Sequence, residues 1–329
     1  MSTKVLGPAL LTWTQAAQTV YGILQYTDKK GMFSIEDVMG FSGHAFRITI
    51  HRETVNPAAP TVYSPFDLMG RTFQLFGFQV EQIGIPTPAS PEKLEEFITF
   101  VQSSIDKGMP VTGWDLFVPE FGIIYGYDHD KQVLYARDVE KDGTIAYTEI
   151  NNRRYQFLHA MAISDSQPVE MMSVLRESLK RTIAFSKGEF QKPDHEPYRN
   201  GLAGFDAWIE AFTNKKIDVL GNSYNLAIIA DAREFAVKFL RGFKQKWMGT
   251  TELEQQLLKL ADEAADYYQQ VADPLIKMRA MFPFPQSGEP NDPIQAMRAI
   301  ELLKLAKAAE EKGIDVMERI LDLLTKEVV

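Results

Sequence analysis

The sequence predicts an α+β protein of two domains. The first half of the chain alternates short helical segments with runs typical of β-strands, and the second half is helical almost throughout. Between about residues 111 and 163, runs rich in β-branched and aromatic residues are separated by turn signals, as in an antiparallel sheet. The change near residue 165 predicts a boundary at 164–168, which gives domains of residues 1–165 and 166–329.

The composition is typical of a globular protein, and its negative net charge disfavours anionic partners. The 329 residues carry a net charge of −9 and include no cysteine. An acidic chain repels nucleic acid and anionic lipid, and no run approaches the ~18 apolar residues of a membrane span, so we expect neither partner. Without cysteine no disulfide forms, and the first 15 residues lack the cleavage site of a signal peptide. We therefore expect a cytoplasmic protein.

Start signals predict four helices in the first half. Apolar residues recur at helical spacing over residues 14–25 and predict the first helix. Ser34, followed by Asp37, predicts a capping box at the start of the second. Ser-Pro pairs at residues 64–65 and 90–91 predict the N-termini of two more, because Ser caps a helix and Pro suits its first turn.

The strands of the first half are predicted from alternation and turn residues. Apolar and polar residues alternate over 46–51, which predicts a half-buried strand ahead of the sheet. Polar turns at 128–131 and 141–143 then join strands into an antiparallel meander. The strands of the meander region are predicted at residues 111–115, 121–127, 132–138, 144–147 and 156–163.

The second half is predicted to contain about five helices from Pro168 onward, of which the last two are long. Apolar stripes at helical spacing begin at Leu257 and at Ile300. The triplet Asn291-Asp292-Pro293 predicts the start of the final helix.

A pair of strands in the meander carries a family resemblance. The strand EFGIIYGYD, which begins at Glu120, and the next strand, which ends at Asp138, resemble the hairpin of papain-like cysteine peptidases of the bacteriocin-processing type. By this resemblance Glu120 lies at the position of the base histidine and Asp138 at that of its orienting acid. The nucleophile would open the first helix, at Leu11 or Thr12. Neither residue is a thiol, so acyl chemistry on sulfur is unavailable.

The order of elements resembles the butirosin-biosynthesis-H-like family. That order is a first helix, the segment SGHAFRI from Ser42 to Ile48, the meander and a helical second half. The family joins a papain-like N-terminal domain, with an antiparallel sheet and an N-terminal helix, to an all-α C-terminal domain. Its namesake transfers an acyl group from a carrier protein to an aminoglycoside. The resemblance implies the same two domains here with a cleft between them, whereas the acyl transfer cannot be carried over without the nucleophile.

Several residues are candidates for chemistry without a thiol. Thr12 lies at a helix start, where the helix dipole favours an anion. A threonine hydroxyl reacts as a nucleophile only beside a strong base. Glu120 is a strong enough base only if burial raises the pKa of its carboxyl. Glu120 and Asp138 are also candidates for acid–base work or for binding a divalent cation, and His44 is a candidate base in a glycine-flanked turn. Each also has a structural explanation as a capping or hydrogen-bonded residue. The histidines lack ligand spacing, and we expect neither a metal nor a cofactor.

Aromatic rings and amides predict a pocket for a polar molecule in the expected cleft. The segment GNSYN places two amides and a phenol within four positions. The alternative is that these side chains belong to the core or cap a helix. The expected ligand-binding residues are Trp13, Trp114, Tyr125, Trp208, Asn222, Tyr224 and Asn225.

The sequence favours binding of a small polar molecule or a peptide by a scaffold that has lost its cysteine-dependent activity. Two other functions stay open. One is an active hydrolase or acyltransferase that uses non-thiol residues. The other is a structural protein that forms a homo-oligomer through its long C-terminal helices.

Overall fold

The computed structural model describes residues 10–190 and 196–326. Residues 1–9, on which the expectation about a signal peptide partly depends, lie outside these ranges. The described residues form eleven α-helices and eight β-strands, which confirms the α+β class. Within them, no helix combines the length and the apolar character needed to cross a membrane.

The helices are α1 Gln15–Leu24, α2 Ile35–Phe41, α3 Arg71–Leu75, α4 Pro91–Asp106, α5 Tyr147–Ile150, α6 Met171–Ser186, α7 Leu202–Asn214, α8 Val219–Arg241, α9 Phe243–Lys246, α10 Glu252–Met281 and α11 Pro293–Lys326. The strands are β1 Thr49–His51, β2 Gln79–Pro86, β3 Val111–Trp114, β4 Phe121–Asp128, β5 Val133–Arg137, β6 Asp142–Ala146, β7 Phe157–Ser164 and β8 Tyr198–Asn200.

The chain divides into two compact units. The first comprises Met1–Val38 and Ser64–Val169, and the second comprises Met39–Tyr63 and Glu170–Val329. The division at residue 169 lies close to the predicted boundary, but residues 39–63 belong to the second unit rather than to the first. Long-range pairing explains this difference, because β1 pairs with β8, about 150 residues later in the chain.

The first unit is built on one antiparallel sheet with the strand order β2-β7-β3-β4-β5-β6. Strands β3 to β6 form the predicted meander, and β7 returns to pair with β3 and β2. Strand β2 has no counterpart among the predictions. It is an edge strand with mostly exposed side chains, so its residues need no alternating apolar face.

Two helices pack on opposite faces of this sheet. Successive side chains of a strand point to opposite faces, so the neighbours Ile123 and Ile124 of β4 contact different helices. Ile123 faces α1 at Gly22, where an added Cβ would lie 2.5 Å from Ile123 Cδ1. Ile124 joins a hydrophobic cluster with Phe97 and Val101 of α4. Helix α1 therefore rests directly on the strand that follows Glu120.

Local start signals in the first half match the structure closely. Helix α1 lies within one residue of the predicted range 14–25. The capping box of α2 is confirmed, since Ser34 N donates to Asp37 Oδ2 at 3.0 Å and Asp37 N donates to Ser34 Oγ at 3.2 Å. The strand predicted over 46–51 is wrong at its beginning. His44–Phe46 form a 3-10 turn, and only Thr49–His51 are extended and paired.

The second unit is mainly helical, and its last two helices are long, as predicted. Helices α10 and α11 contain 30 and 34 residues. The predicted start of α11 is confirmed, because Asp292 Oδ1 accepts hydrogen bonds from Ile294 N at 3.0 Å and Gln295 N at 2.9 Å. The two helices run antiparallel, with Glu263 of α10 paired to Arg319 of α11.

Candidate functional site

A groove of about 200 Å³ lies in the first unit, between α1 and the strands β4 and β5. We call it the α1 groove. Its lining residues are Leu10, Leu11, Gln15, Gln18, Thr19, Tyr21, Gly22, Phe121, Gly122, Ile123, Arg137, Asp138 and Val139.

Exposed apolar side chains and polar groups meet in the α1 groove. Leu11 and Val139 are 41% and 39% exposed, and both line the groove, so they expose apolar surface in one concavity. Leu11 N donates to Gln18 Oε1 at 2.9 Å, so the chain before α1 is held against the helix. Gln18 and Val139 line the groove but are not among the residues expected from the sequence. The adjacent pair Leu10-Leu11, placed before the helix and outside its apolar stripe, was the signal that could have revealed the groove.

The structure gives Thr12 a structural role. Its side chain is only 1% exposed, and Oγ1 accepts a hydrogen bond from Thr14 N at 3.1 Å. Its carbonyl oxygen accepts from Gln15 Nε2 at 3.1 Å. The structure favours the structural explanation of Thr12 over the nucleophile candidate, because this buried hydroxyl stabilises the turn that begins α1. Leu11, the other residue at the nucleophile position, lines the groove.

Asp138 lines the α1 groove, but both of its carboxylate oxygens accept hydrogen bonds from main-chain N–H groups. Oδ2 accepts from Phe117 N at 2.8 Å and Val118 N at 2.9 Å. Oδ1 accepts from Glu140 N at 2.9 Å and Lys141 N at 3.3 Å. Four main-chain donors hold this carboxylate in place. Asp138 thus organises the loop before β4 and the turn after β5, whereas the predicted role was to orient a base.

We expect Asp138→Asn to lower the free energy of unfolding by about 1 to 2 kcal/mol. An amide presents one NH₂ group where the carboxylate presents an acceptor, so at least one pair of main-chain donors loses its partner. Urea titration measures the change. Asp130→Asn is the matched control, because Asp130 is exposed in the turn between β4 and β5. Equal stability of the two variants would show that water replaces the Asp138 bonds without loss.

Glu120 lies near enough to Asp138 for the charge of that carboxylate to act on it. The residue is half-buried immediately before β4, and its carbonyl oxygen accepts from Asp115 N at 3.1 Å. The pKa of Glu120 is raised to about 8, mainly by burial and also by the negative charge of Asp138, against a hydrogen bond from the Phe121 main chain that lowers it. At neutral pH most of this carboxyl is protonated. Glu120 is not among the residues that line the α1 groove.

The expected ligand-binding rings of the first unit pack on neighbouring residues. Trp114 lies 4.8 Å from Phe121 between ring centroids. The Tyr125 hydroxyl donates to Asp142 Oδ1 at 2.5 Å, and burial together with this carboxylate raises the pKa of Tyr125. Trp13 is half-buried next to the start of α1. None of these three rings is among the groove-lining residues.

Three expected ligand-binding residues of the second unit lie in its interior. Trp208, Asn222 and Asn225 are all 0% exposed. The indole Nε1 of Trp208 donates to Asn222 Oδ1 at 2.9 Å, and Asn225 Nδ2 donates to the carbonyl oxygen of Asn56 at 2.9 Å. The expectation of a ligand-facing cluster is wrong for these side chains, because they satisfy buried polar groups within the fold. Tyr224 is half-buried, and its ring centroid lies 5.5 Å from that of Phe284.

His44 belongs to the second unit and is buried rather than directed into a cleft. The ring is 4% exposed, and Nδ1 lies 2.7 Å from Ser42 Oγ. Burial, followed by the charges of Arg47 and Arg181, lowers the pKa of His44 to about 3. His44 is therefore neutral at physiological pH. The structure unites Glu120 and Asp138 in the first unit, and His44 is not part of that pair.

The described residues contain no group of three histidine, aspartate or glutamate side chains that could bind a metal ion. No family model matches the chain, and no curated protein matches it significantly. The resemblance to the butirosin-biosynthesis-H-like family therefore stays a prediction.

Proposed function

We propose that this chain binds a small polar or peptide-like ligand in the α1 groove and performs no thiol chemistry. The observation that supports this most strongly is the meeting of exposed Leu11 and Val139 with the polar side chains of Gln18 and Arg137 in one concavity. Binding sites for small molecules typically combine apolar walls with a few polar groups that fix orientation. The chain has no cysteine, so a covalent step on sulfur is excluded.

The size of the groove favours a single side chain or a similarly small group as the bound element. Its volume of about 200 Å³ lies below the range of ~300 to 1,000 Å³ typical of pockets for drug-sized molecules. A peptide-like ligand would place one apolar side chain against Leu11 and Val139. Its amide groups would then lie near Gln18 and Arg137, which supply hydrogen-bonding groups.

The position of the groove supports the proposed papain-like kinship. In peptidases of that type the nucleophile opens a helix that packs against the hairpin carrying the base. Here α1 packs on β4, and Leu11 lies in the groove where the resemblance puts the nucleophile. We propose that the groove is a substrate cleft that has kept its shape and now only binds.

A thermal-shift series with N-acetyl amino-acid amides tests the groove. We expect the leucine or phenylalanine amide to raise the melting temperature by about 1 to 3 °C over the glycine amide, because only the former fills the apolar part. Leu11→Glu should abolish this difference. The substitution places a charge on the apolar wall but affects a side chain that is already 41% exposed, so the fold should persist.

Leu305→Glu is the matched control for this series. Leu305 is 63% exposed on α11 and lies outside the groove. It receives the same new charge and should keep the full response to the leucine amide. A response that survives Leu11→Glu, or that is lost equally in both variants, would place the binding elsewhere.

An acid–base hydrolase is the second candidate, and the pKa of Glu120 favours it. A carboxyl with a pKa of about 8 exchanges a proton near neutral pH, as a general acid or base must. Turnover of ester or acyl-thioester substrates that disappears in Glu120→Gln would support this candidate. Turnover that is unchanged by Glu120→Gln would exclude Glu120 as the general acid or base.

A further inference from the structure

The second unit contains a buried basic cluster, which we call the Arg47 cluster and define as His44, Arg47, Tyr63, Arg181 and Phe185. The guanidinium carbon of Arg47 lies 4.9 Å from the ring centroid of Tyr63 and 4.2 Å from that of Phe185. The His44 ring contacts the same tyrosine, with 6.2 Å between centroids. Tyr63 thus joins the histidine and the arginine in one site.

Arg47 lacks the partner that a buried cation normally has. Its hydrogen bond is a long one, from Nη2 to the carbonyl oxygen of Val62 at 3.4 Å. Its Nε is buried and has no hydrogen-bond partner, and no carboxylate among the described residues forms an ion pair with it. Buried charges are normally paired, because an isolated ion loses its hydration without compensation.

Arg233, in the same unit, is a buried arginine that does have a carboxylate partner. It is fully buried, and it donates from Nε to Glu310 Oε2 at 2.7 Å and from Nη2 to Glu310 Oε1 at 2.9 Å. Two carbonyl oxygens accept from its Nη1. Arg47 is half-buried over the whole residue, but its Nε is buried, and the Nε edge that pairs with a carboxylate in Arg233 has no partner in Arg47.

His44 is a second residue of the Arg47 cluster with an unpartnered ring nitrogen. Its Nε2 is buried without a hydrogen-bond partner. Ser42 Oγ lies 2.7 Å from His44 Nδ1 but 3.3 Å from the carbonyl oxygen of Met39, so the shorter bond is the better place for the hydroxyl proton. If Ser42 donates to Nδ1, the neutral ring carries its hydrogen on Nε2. His44 then donates without needing to be charged.

We propose that the Arg47 cluster binds a compact oxyanion, the carboxylate or phosphate group of a small molecule, through Arg47 Nε and His44 Nε2. A guanidinium edge and an imidazole N–H suit the oxygens of either group. The rings of Tyr63 and Phe185 hold the guanidinium in place, so little side-chain freedom is lost on binding. This site shares no residue with the α1 groove.

Inorganic phosphate and acetate are the probes. At about 20 mM and matched ionic strength, we expect one or both to raise the melting temperature by about 2 °C or more over chloride. A response to phosphate alone assigns a phosphate group, and a response to acetate alone assigns a carboxylate. Absence of any response to either anion in the wild-type protein overturns the proposal.

Three variants test whether the anions raise the melting temperature by binding at the Arg47 cluster. Arg47→Gln removes the guanidinium and should abolish the shift, and Arg47→Lys, which keeps the charge but loses the planar fork, should reduce it. Arg298→Gln is the matched control, since Arg298 is exposed on α11. If Arg47→Gln does not fold, the His44 ring resonances of the wild-type protein decide by NMR, because bound anion must shift them. Equal shifts in Arg47→Lys, Arg298→Gln and wild type, or unmoved His44 resonances at saturation, overturn the proposal.

Discussion

Replacing Arg233 by methionine will lower the free energy of unfolding by about 3 to 5 kcal/mol. The substitution leaves Glu310, which is 2% exposed, without its ion-pair partner in the interior of the second unit. Burial already raises the pKa of Glu310, and the charge and hydrogen bonds of Arg233 oppose that rise. Without Arg233, Glu310 must either stay ionised without a cation or bind a proton. Urea titration at pH 7 measures the loss.

Two further variants separate the ion pair from its surroundings. The double variant Arg233→Met with Glu310→Leu should recover much of the loss, because no unpaired charge is then buried. Arg319→Met is the matched control: Arg319 pairs with Glu263 between α10 and α11, but its side chain is 54% exposed. We expect that variant to change stability by less than about 1 kcal/mol. A loss of similar size in Arg319→Met and Arg233→Met would contradict the importance of burial.

Arg233 also explains why residues 39–63 belong to the second unit. Its Nη1 donates to the carbonyl oxygens of Ala45 at 3.1 Å and Arg47 at 3.2 Å. These bonds fix the 3-10 turn of the segment SGHAFRI to α8. The sequence analysis assigned that segment to the first domain from its position in the chain. No local pattern near Ala45 indicates an arginine more than 180 residues away, so the assignment could not be made from sequence.

Features that depend on a few neighbouring residues could be predicted, and those that depend on distant partners could not. The capping box of Ser34 and Asp37 is a contact across three positions, and it forms as expected. The edge strand β2 was missed because its exposed side chains leave no apolar alternation. The charge of Asp138 acts on Glu120, but only Asp138 lines the α1 groove, and strand spacing alone could not distinguish the two positions.

In the candidate site, too, hydrogen bonds to residues distant in the chain could not be predicted from the sequence. Spacing along two strands could not reveal that Asp138 accepts from Phe117 N, because the loop before β4 has no periodic pattern. Trp208 and Asn222 look like ligand contacts in sequence because an aromatic ring with a polar edge and an amide are common in pockets for polar molecules. Their mutual hydrogen bond joins two helices, and only the packing of α7 on α8 makes it visible.

Glu120→Gln should stabilise the protein at alkaline pH. The pKa of Glu120 is raised from its ordinary value of 4.5 to about 8 in the folded protein. A group whose folded pKa is raised contributes stability fully below the unfolded pKa, and this contribution is lost as the pH rises through the folded pKa. The contribution of Glu120 to the stability of the wild-type protein is therefore lost between about pH 4.5 and pH 8, as unfolding releases the proton that burial retains.

The glutamine side chain at position 120 cannot ionise, so the stability of this variant has no pH-dependent contribution from that position. We expect the advantage of Glu120→Gln over wild type to be small near pH 4.5 and to grow to about 2 to 3 kcal/mol above pH 8. Part of the side chain contacts water, which reduces the effect below that of the full shift. Urea titrations at a series of pH values measure the difference between the two proteins.

Glu81→Gln provides the reference for this series, because Glu81 is exposed on the edge strand β2. Because this exposed side chain loses little hydration on folding, we expect Glu81→Gln to change stability at pH 8 by much less than Glu120→Gln does. Parallel pH profiles of Glu120→Gln and wild type would show that Glu120 titrates as an ordinary carboxyl. In that case neither the loss of its hydration nor its proximity to Asp138 controls its proton, and the acid–base candidate loses its physical basis as well. A growing difference would instead identify Glu120 as a carboxyl that burial keeps protonated at neutral pH.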